Sequence, residues 1–93
     1  MKIVAFRIPK QIVLPGLVVQ VKRVKPALPG EPGPESKEAD FDYSASDGTW
    51  VIRLADDLTI AEARYSLIHE LQHVMTDFLH VAILKHQDLF KII

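Results

Sequence analysis

Residues 41–78 have the sequence FDYSASDGTW VIRLADDLTI AEARYSLIHE LQHVMTDF, and they carry the strongest structural signals of the chain. Apolar residues alternate with polar ones on both sides of Asp47–Gly48. An Asp-Gly pair between two alternating runs is typical of a β-hairpin, because glycine and aspartate tolerate the positive φ angles of a tight turn. The pattern therefore predicts strands over residues 41–45 and 50–55.

A helix is predicted directly after this hairpin. Thr59 and Glu62 have the spacing of a capping box, in which each side chain satisfies a backbone N–H of the first turn. Apolar residues then recur at helical spacing, with one stripe made of Ile60, Leu67, Leu71, Val74, Met75 and Phe78. The opposite face carries Glu62, Tyr65, Ser66, His69, Gln72, His73, Thr76 and His80. Beyond Ala82 the stripe loses coherence, so the helix should continue irregularly or turn near Lys85–Asp88.

The first half of the chain is punctuated like β structure, because every Gly and Pro lies at or before Gly48. Alternation predicts a strand over Lys2–Ile8, and a Val-rich run predicts another over Leu17–Lys25 after a turn at Pro15–Gly16. Residues 26–40 are rich in Pro, Gly and charge, so they should form a mobile loop. Such a loop is either a surface insertion or a flap over a cleft.

Ninety-three residues predict a single domain, with a β-rich part over residues 1–55 and a helical part over residues 59–93. The expected fold class is α+β, in which a small, mostly antiparallel sheet of three or four strands packs against one long helix. The polar face of this helix should open into a cleft beside an edge strand. The apolar tail Leu89–Ile93 either returns to the core or provides a surface for homo-oligomer formation.

Composition excludes several classes of function and site. The net charge of −1 gives no basic excess, so a general nucleic-acid binder or a membrane-surface binder is not expected. Cysteine is absent, so any metal must be held by His, Asp or Glu. The sequence shows neither a signal-peptide pattern nor an apolar run of transmembrane length, and a cytoplasmic location is the expectation.

The motif that carries chemistry is His69-Glu70-Leu71-Gln72-His73, which matches the pattern His-Glu-x-x-His. Residues four apart lie on one face of a helix, so both imidazoles can reach a single zinc ion. Glu70 lies about 100° around the helix from His69, beside the ion rather than on it. It is therefore placed to accept a proton from a zinc-bound water as a general base. Because its histidines lie off the apolar stripe, the motif predicts a zinc site rather than two solvated histidines.

The segment from Trp50–Leu54 to Ala63–His73 resembles the zincin metallopeptidases. It is most similar to the small gluzincin-like ImmA/IrrE family and to minimal single-domain gluzincins, over about residues 50–80. The resemblance implies that His69 and His73 are zinc ligands, that Glu70 is the catalytic base, and that a peptide or protein is the substrate. It also implies that the strand Trp50–Ala55 belongs to a sheet that holds an extended peptide along its edge.

The third metal ligand is where the sequence departs from this resemblance. Gluzincins take it from a glutamate on a later helix, and no glutamate follows Glu70. His80 is the first candidate, but on a continuous helix it lies about 10.5 Å beyond His73, so it can join the site only if the helix breaks between residues 74 and 79. The other candidates are Asp77, His86, Asp88, another chain or water.

Two functions remain as hypotheses. The first is a zinc-dependent metallopeptidase that hydrolyses peptide bonds through metal-activated water, with Glu70 as the base. The alternative is a catalytically inactive zincin-like module that binds a metal or a partner protein. The intact Glu70 favours the first, whereas the missing third ligand and the small size favour the second. A nucleic-acid-binding or regulatory domain finds no support, because the chain lacks a basic surface.

Overall fold

The computed structural model describes residues 7–44 and 46–85, with side chains as far as His80. The described residues form, in chain order, β1 (Gln11–Leu14), β2 (Leu17–Val24), β3 (Ala39–Ser44), β4 (Thr49–Ala55) and α1 (Ile60–Lys85). The strands make one sheet in the order β1-β2-β4-β3, in which β2 and β4 are parallel and the other two pairs are antiparallel. The predicted α+β class, a mostly antiparallel sheet packed against one long helix, is confirmed.

The predicted hairpin connects β3 and β4. Tyr43 faces Trp50 across it, and the turn is completed by Gly48 at a φ of 71°. The N–H of Thr49 donates to the carboxylate of Asp47 at 3.0 Å, which is the reason an Asp-Gly pair suits this turn.

The start of β3 lies two residues before the predicted strand, so the assignment of Ala39 and Asp40 to the loop was wrong. Asp40 pairs with Arg53 in the register of the two strands, and both nitrogens of a guanidinium edge donate to the carboxylate, at 2.7 and 2.8 Å. This cross-strand ion pair joins residues 13 apart in the chain, so alternation alone could not reveal it. The hydrogen bonds to the Asp40 carboxylate raise the pKa of the Arg53 guanidinium.

The first strand also differs from the prediction. Residues 2–6 of the strand predicted over Lys2–Ile8 lie outside the described residues, and its last two residues, Arg7 and Ile8, are not in a strand. Instead, β1 pairs with β2 through the predicted turn at Pro15–Gly16, where glycine adopts a φ of 76°. A Cβ added to Gly16 would lie 3.6 Å from the ring of Phe78, so the turn also contacts α1.

The core lies between the sheet and α1. Alternate residues of β2 and β4 point to the same face and are buried there together with one side of the helix. The buried apolar residues are Leu17, Val19, Val21, Trp50, Ile52, Leu54, Ala55, Leu58, Ala63, Leu67 and Val74. Half-buried neighbours, among them Phe41, Leu71 and Phe78, extend this cluster toward both sides of the helix.

The buried stripe of α1 is rotated relative to the predicted one. Leu67 and Val74 are buried as predicted, but Ile60 is 61% exposed and Met75 is 41% exposed, so the prediction was wrong for these two residues. Glu70, which was not included in the predicted stripe, lies on the buried side of the helix and is 9% exposed. The helix rests on the sheet along the line 63–67–70–74, and this turns the histidine face toward β3.

The beginning of α1 has the predicted capping box. The N–H of Thr59 donates to the Glu62 carboxylate at 2.8 Å, and the N–H of Glu62 donates to the Thr59 hydroxyl at 3.1 Å. The helix then runs without interruption to Lys85, so the irregularity predicted after Ala82 is not found over residues 83–85. The rest of the turn predicted near Lys85–Asp88 lies outside the described part of the chain. Nowhere in the described part is a helix both long and apolar enough to cross a membrane.

The connection between β2 and β3 is anchored to the start of the helix. The Ser36 hydroxyl and the Lys37 N–H both donate to the Asp57 carboxylate, at 2.5 and 3.0 Å, and the Lys37 ammonium pairs with Glu62 at 3.4 Å. Lys37 has a φ of 63°, a conformation that few L-residues adopt without such support. The mobility predicted for residues 26–40 stays a prediction. The contacts of Ser36 and Lys37 would restrain the end of that segment.

Deleting one buried methylene should distinguish the core from the exposed side of α1. Ile52→Val removes it from a fully buried side chain and should lower the free energy of unfolding by about 1 kcal/mol. Ile68→Val makes the same change on a helix residue that is 59% exposed, and its effect should be below about 0.5 kcal/mol. Urea unfolding measures both, and equal effects would contradict the packing described.

The anchor at Asp57 should make stability depend on pH. The hydrogen bonds from Ser36 and Lys37 lower the pKa of Asp57 in the folded protein, so their stabilisation is complete above the ordinary carboxyl pKa and is lost as the pH falls through the lowered one. Asp57→Asn should therefore be less stable than the wild type at neutral pH, and the difference should shrink in acid. Asp56→Asn, which changes the neighbouring exposed carboxylate, should alter stability little at neutral pH. A difference for Asp57→Asn that is constant with pH would contradict the anchor.

Candidate functional site

Two histidines of α1 form the centre of the candidate site. His69 and His73, here called the histidine pair, lie one turn apart on the same face, and both are exposed. Their Nε2 atoms are 3.1 Å apart, and the rings meet edge to face with centroids at 4.7 Å. Two nitrogens bound to one tetrahedral zinc at about 2.0–2.1 Å would be about 3.3 Å apart. The pair therefore fits two coordination positions of a single zinc ion.

Aromatic neighbours set the orientation of both rings. Phe41 of β3 stacks on His73 with centroids at 5.7 Å and planes within 9° of parallel. Tyr65, one turn before His69, lies near-parallel to its ring with centroids at 6.4 Å. These contacts tie one histidine to the sheet and the other to its own helix, so the pair is held between β3 and the first half of α1.

Glu70 lies on the sheet side of the same helical turn. Burial raises the pKa of its carboxyl, and the nearby carboxylate of Asp40 acts in the same direction. The imidazoles of His73 and His69 oppose this shift. A carboxyl group whose pKa is raised toward neutrality is suited to accepting and releasing a proton, which is what a general base requires.

The outer edge of β3 lies next to the histidine pair, because Phe41 of this strand stacks on His73. In an antiparallel pair, every second residue directs its backbone N–H and C=O to the neighbouring strand. Because the Ala55 N–H donates to the Glu38 carbonyl, these are the even-numbered residues of β3, which bond to β4. The backbone groups of Ala39, Phe41 and Tyr43 therefore point away from the sheet. The Tyr43 N–H donates to the neighbouring Asp42 carboxylate at 2.8 Å. The backbone N–H and C=O groups of Ala39 and Phe41 are therefore the ones that another extended chain could pair with.

Two pockets lie between β3 and α1 near the histidine pair. The first, near the start of β3, is lined by Lys37, Glu38, Ala39, Tyr65, Ser66, His69 and Glu70. The second, which we call the aromatic pocket, is lined by Phe41, Asp42, Tyr43, Trp50, Asp77 and His80. A chain extended along β3 would pass from one pocket to the other and cross the histidine pair between them.

The structure does not bring His80 to the histidine pair. The break between residues 74 and 79 that this would require is absent, because α1 is continuous, and seven residues of helix separate His73 and His80 by about 10.5 Å. His80 and Asp77 line the aromatic pocket instead, and in the described part of the chain no hydrogen bond or ion pair joins Asp77 to His73. Among the described residues, no three His, Asp or Glu side chains are grouped for a metal ion. His86 and Asp88, the remaining candidates from this chain, lie outside that part.

The sequence motif selects the histidine pair and Glu70 as candidates, and this stays a prediction, but it does not include the aromatic residues that lie around them. Phe41, Tyr43 and Trp50 were recognised only as strand residues. A signal was present, because alternation in two strands joined by a short turn places these three rings on one face of the hairpin. The helix that follows the hairpin covers that face, so the rings were candidates for the walls of the cleft.

Comparison of the chain with protein-family models, with curated proteins and with solved structures found no match. The resemblance to zincins thus remains a hypothesis that rests on residues 50–80 and on the geometry of the site.

Zinc titration should separate the histidine pair from His80. His69→Ala or His73→Ala should weaken zinc binding by about 100-fold or more, because each removes one of two adjacent ligands. His80→Ala removes the same side chain about 10.5 Å away and should bind zinc as the wild type does. Calorimetry with zinc sulfate measures the affinities, and circular dichroism checks that each variant is folded. A loss in His80→Ala equal to that in His73→Ala would contradict the assignment.

Proposed function

We propose that this protein is a zinc-dependent metallopeptidase whose site is built on α1. The observation that carries the proposal is the 3.1 Å separation of the two Nε2 atoms, with the carboxyl of Glu70 on the same turn of helix. His69 and His73 would hold the ion, and Glu70 would act as the base. A zinc ion bound there supplies a Lewis acid, which acidifies water and polarises a carbonyl.

The described residues suit an extended peptide as the substrate. The outward backbone groups of Ala39 and Phe41 can pair with a peptide strand laid along β3, which is the edge of the sheet on this side. Such a peptide passes beside His73, because Phe41 stacks on that ring. Main-chain pairing provides affinity for peptides in general, whereas the two pockets would select side chains.

The proton transfers of hydrolysis fall to Glu70. Its carboxylate accepts a proton from the water that attacks the peptide carbonyl carbon, and it then donates this proton to the amide nitrogen as the carbon–nitrogen bond breaks. The products are a carboxylic acid and an amine, so no other reactant is needed. The burial that raises the pKa of Glu70 favours the first transfer, because it makes the carboxylate a stronger base.

The alternative is a zincin-like module that binds a metal or a partner protein without hydrolysis. The specific observation in its favour is that the described residues supply two ligands and not three. In the metallopeptidase, the third position would be filled by His86, Asp88, another chain or water. Only the metallopeptidase hydrolyses peptide bonds, whereas a metal-binding module would use the same two histidines as ligands without hydrolysis.

A single substitution should separate zinc binding from hydrolysis. Glu70→Gln keeps the size of the side chain but removes the base, so hydrolysis should fall by at least about 100-fold while zinc remains bound. Glu62→Gln is the matched control on the same helix, because glutamine also completes a capping box. The measurement is the cleavage of a mixture of quenched fluorogenic peptides by zinc-loaded protein, with bound zinc quantified in each sample. Zinc-loaded wild type without turnover would favour the inactive module.

A further inference from the structure

The aromatic pocket has a composition that the proposed reaction does not explain. It lies between the β3–β4 hairpin and α1 and has a volume of about 460 Å³. Trp50, which is 6% exposed, forms its floor, with the ring of Tyr43 at 4.6 Å and that of Phe41 at 6.5 Å between centroids. Three aromatic rings that meet in one concave site provide apolar area and electron-rich faces for a ligand.

Two acidic residues line this pocket. Asp42 lies on the edge strand, where one carboxylate oxygen accepts the outward-pointing Tyr43 N–H, and Asp77 lies on the exposed side of the helix. Among the described residues, no lysine or arginine lines the pocket, and its only basic side chain is that of His80. The ion pairs recorded in that part of the chain involve other carboxylates. Arg53 interacts with Asp42 only at longer range, because its guanidinium is bound to Asp40. Acidic side chains therefore outnumber basic ones beside these aromatic rings, by Asp42 and Asp77 to His80.

This combination selects for a cation on an apolar stem. A lysine or arginine side chain can lay its methylene groups against Trp50 and Tyr43 while its charge meets the ring faces and the two carboxylates. A leucine side chain would fill the same space but would leave the carboxylates desolvated without a partner. A glutamate side chain would be repelled by both carboxylates.

The pocket is also continuous with the candidate site. The ring of Phe41 stacks on His73 on one side and on Trp50 on the other, so the pocket begins one ring away from a proposed zinc ligand. A peptide paired with the outer edge of β3 would place a side chain here, close to the bond to be cleaved. We propose that the aromatic pocket binds a lysine or arginine side chain of the peptide substrate. This inference rests on the proposed function, because it takes the ligand to be that substrate.

Trp50 is the only tryptophan of the chain, so its fluorescence reports directly on the pocket. The binding measurement uses the zinc-loaded Glu70→Gln variant, because it lacks the proposed base and leaves the peptide intact. The probes are acetylated and amidated pentapeptides of alanine with lysine, arginine, norleucine or glutamate at the centre. Norleucine has the length of the lysine stem without its ammonium group. The lysine and arginine peptides should shift Trp50 emission and bind about tenfold more tightly than the norleucine peptide, and the preference should decrease with salt.

Charge-removing variants complete the test. Asp77→Asn should reduce the preference for lysine over norleucine, and the double variant Asp42→Asn with Asp77→Asn should abolish it. Asp56→Asn removes one exposed carboxylate elsewhere and should leave the preference unchanged.

The outcomes separate this inference from the proposed function. Equal affinity for the lysine and norleucine peptides, absence of binding, or a preference that survives the double variant would overturn the basic-side-chain pocket. A clear preference for lysine together with zinc-loaded wild type that never cleaves the lysine peptide would overturn the peptidase and support the pocket as a binding site.

Discussion

The packing of α1 on the sheet is the constraint on which the rest of the site depends. The helix rests along the line 63–67–70–74 over β4 and β3, so one of its glutamates is buried and its histidine face turns toward the edge strand. A rotation of about 40° toward the stripe expected from apolar residues alone would bury Met75 and carry the histidine pair away from Phe41. The orientation of the helix thus places the histidine pair, Glu70 and the exposed edge of β3 close together.

The buried position of Glu70 has an energetic cost that the apolar residues around it must offset. Burial of a carboxyl group without full compensation disfavours its charged form, and this is the cause of its raised pKa. A purely structural helix would gain stability from an apolar residue at this position. The arrangement is typical of a functional site, where local stability is reduced in exchange for a group with altered acidity.

Features encoded over short distances were the ones that the sequence could predict. The Asp47–Gly48 turn, the Thr59–Glu62 cap and the one-turn spacing of the histidine pair each depend on residues within a few positions. The predicted features that failed depend on distant partners. Asp40 pairs with Arg53, and β3 begins at Ala39 rather than at the predicted Phe41. Packing against the sheet determines which apolar residues of α1 are buried. The place of His80 became clear only once the helix was known to be unbroken.

The parallel pairing of β2 with β4 has a consequence for how the chain acquires its structure. The two hairpins, β1–β2 and β3–β4, close loops of a few residues, whereas the β2–β4 pairing joins Val19 to Trp50. Long loops close more slowly than short ones, so each hairpin can form early and the two then dock through their central strands. Everything assigned to the candidate site lies within residues 37–80, on the second hairpin and the helix that follows it. The first hairpin contributes Leu17, Val19 and Val21 to the core. The candidate site therefore belongs to one contiguous segment of the chain, whereas the packing that supports it uses both hairpins.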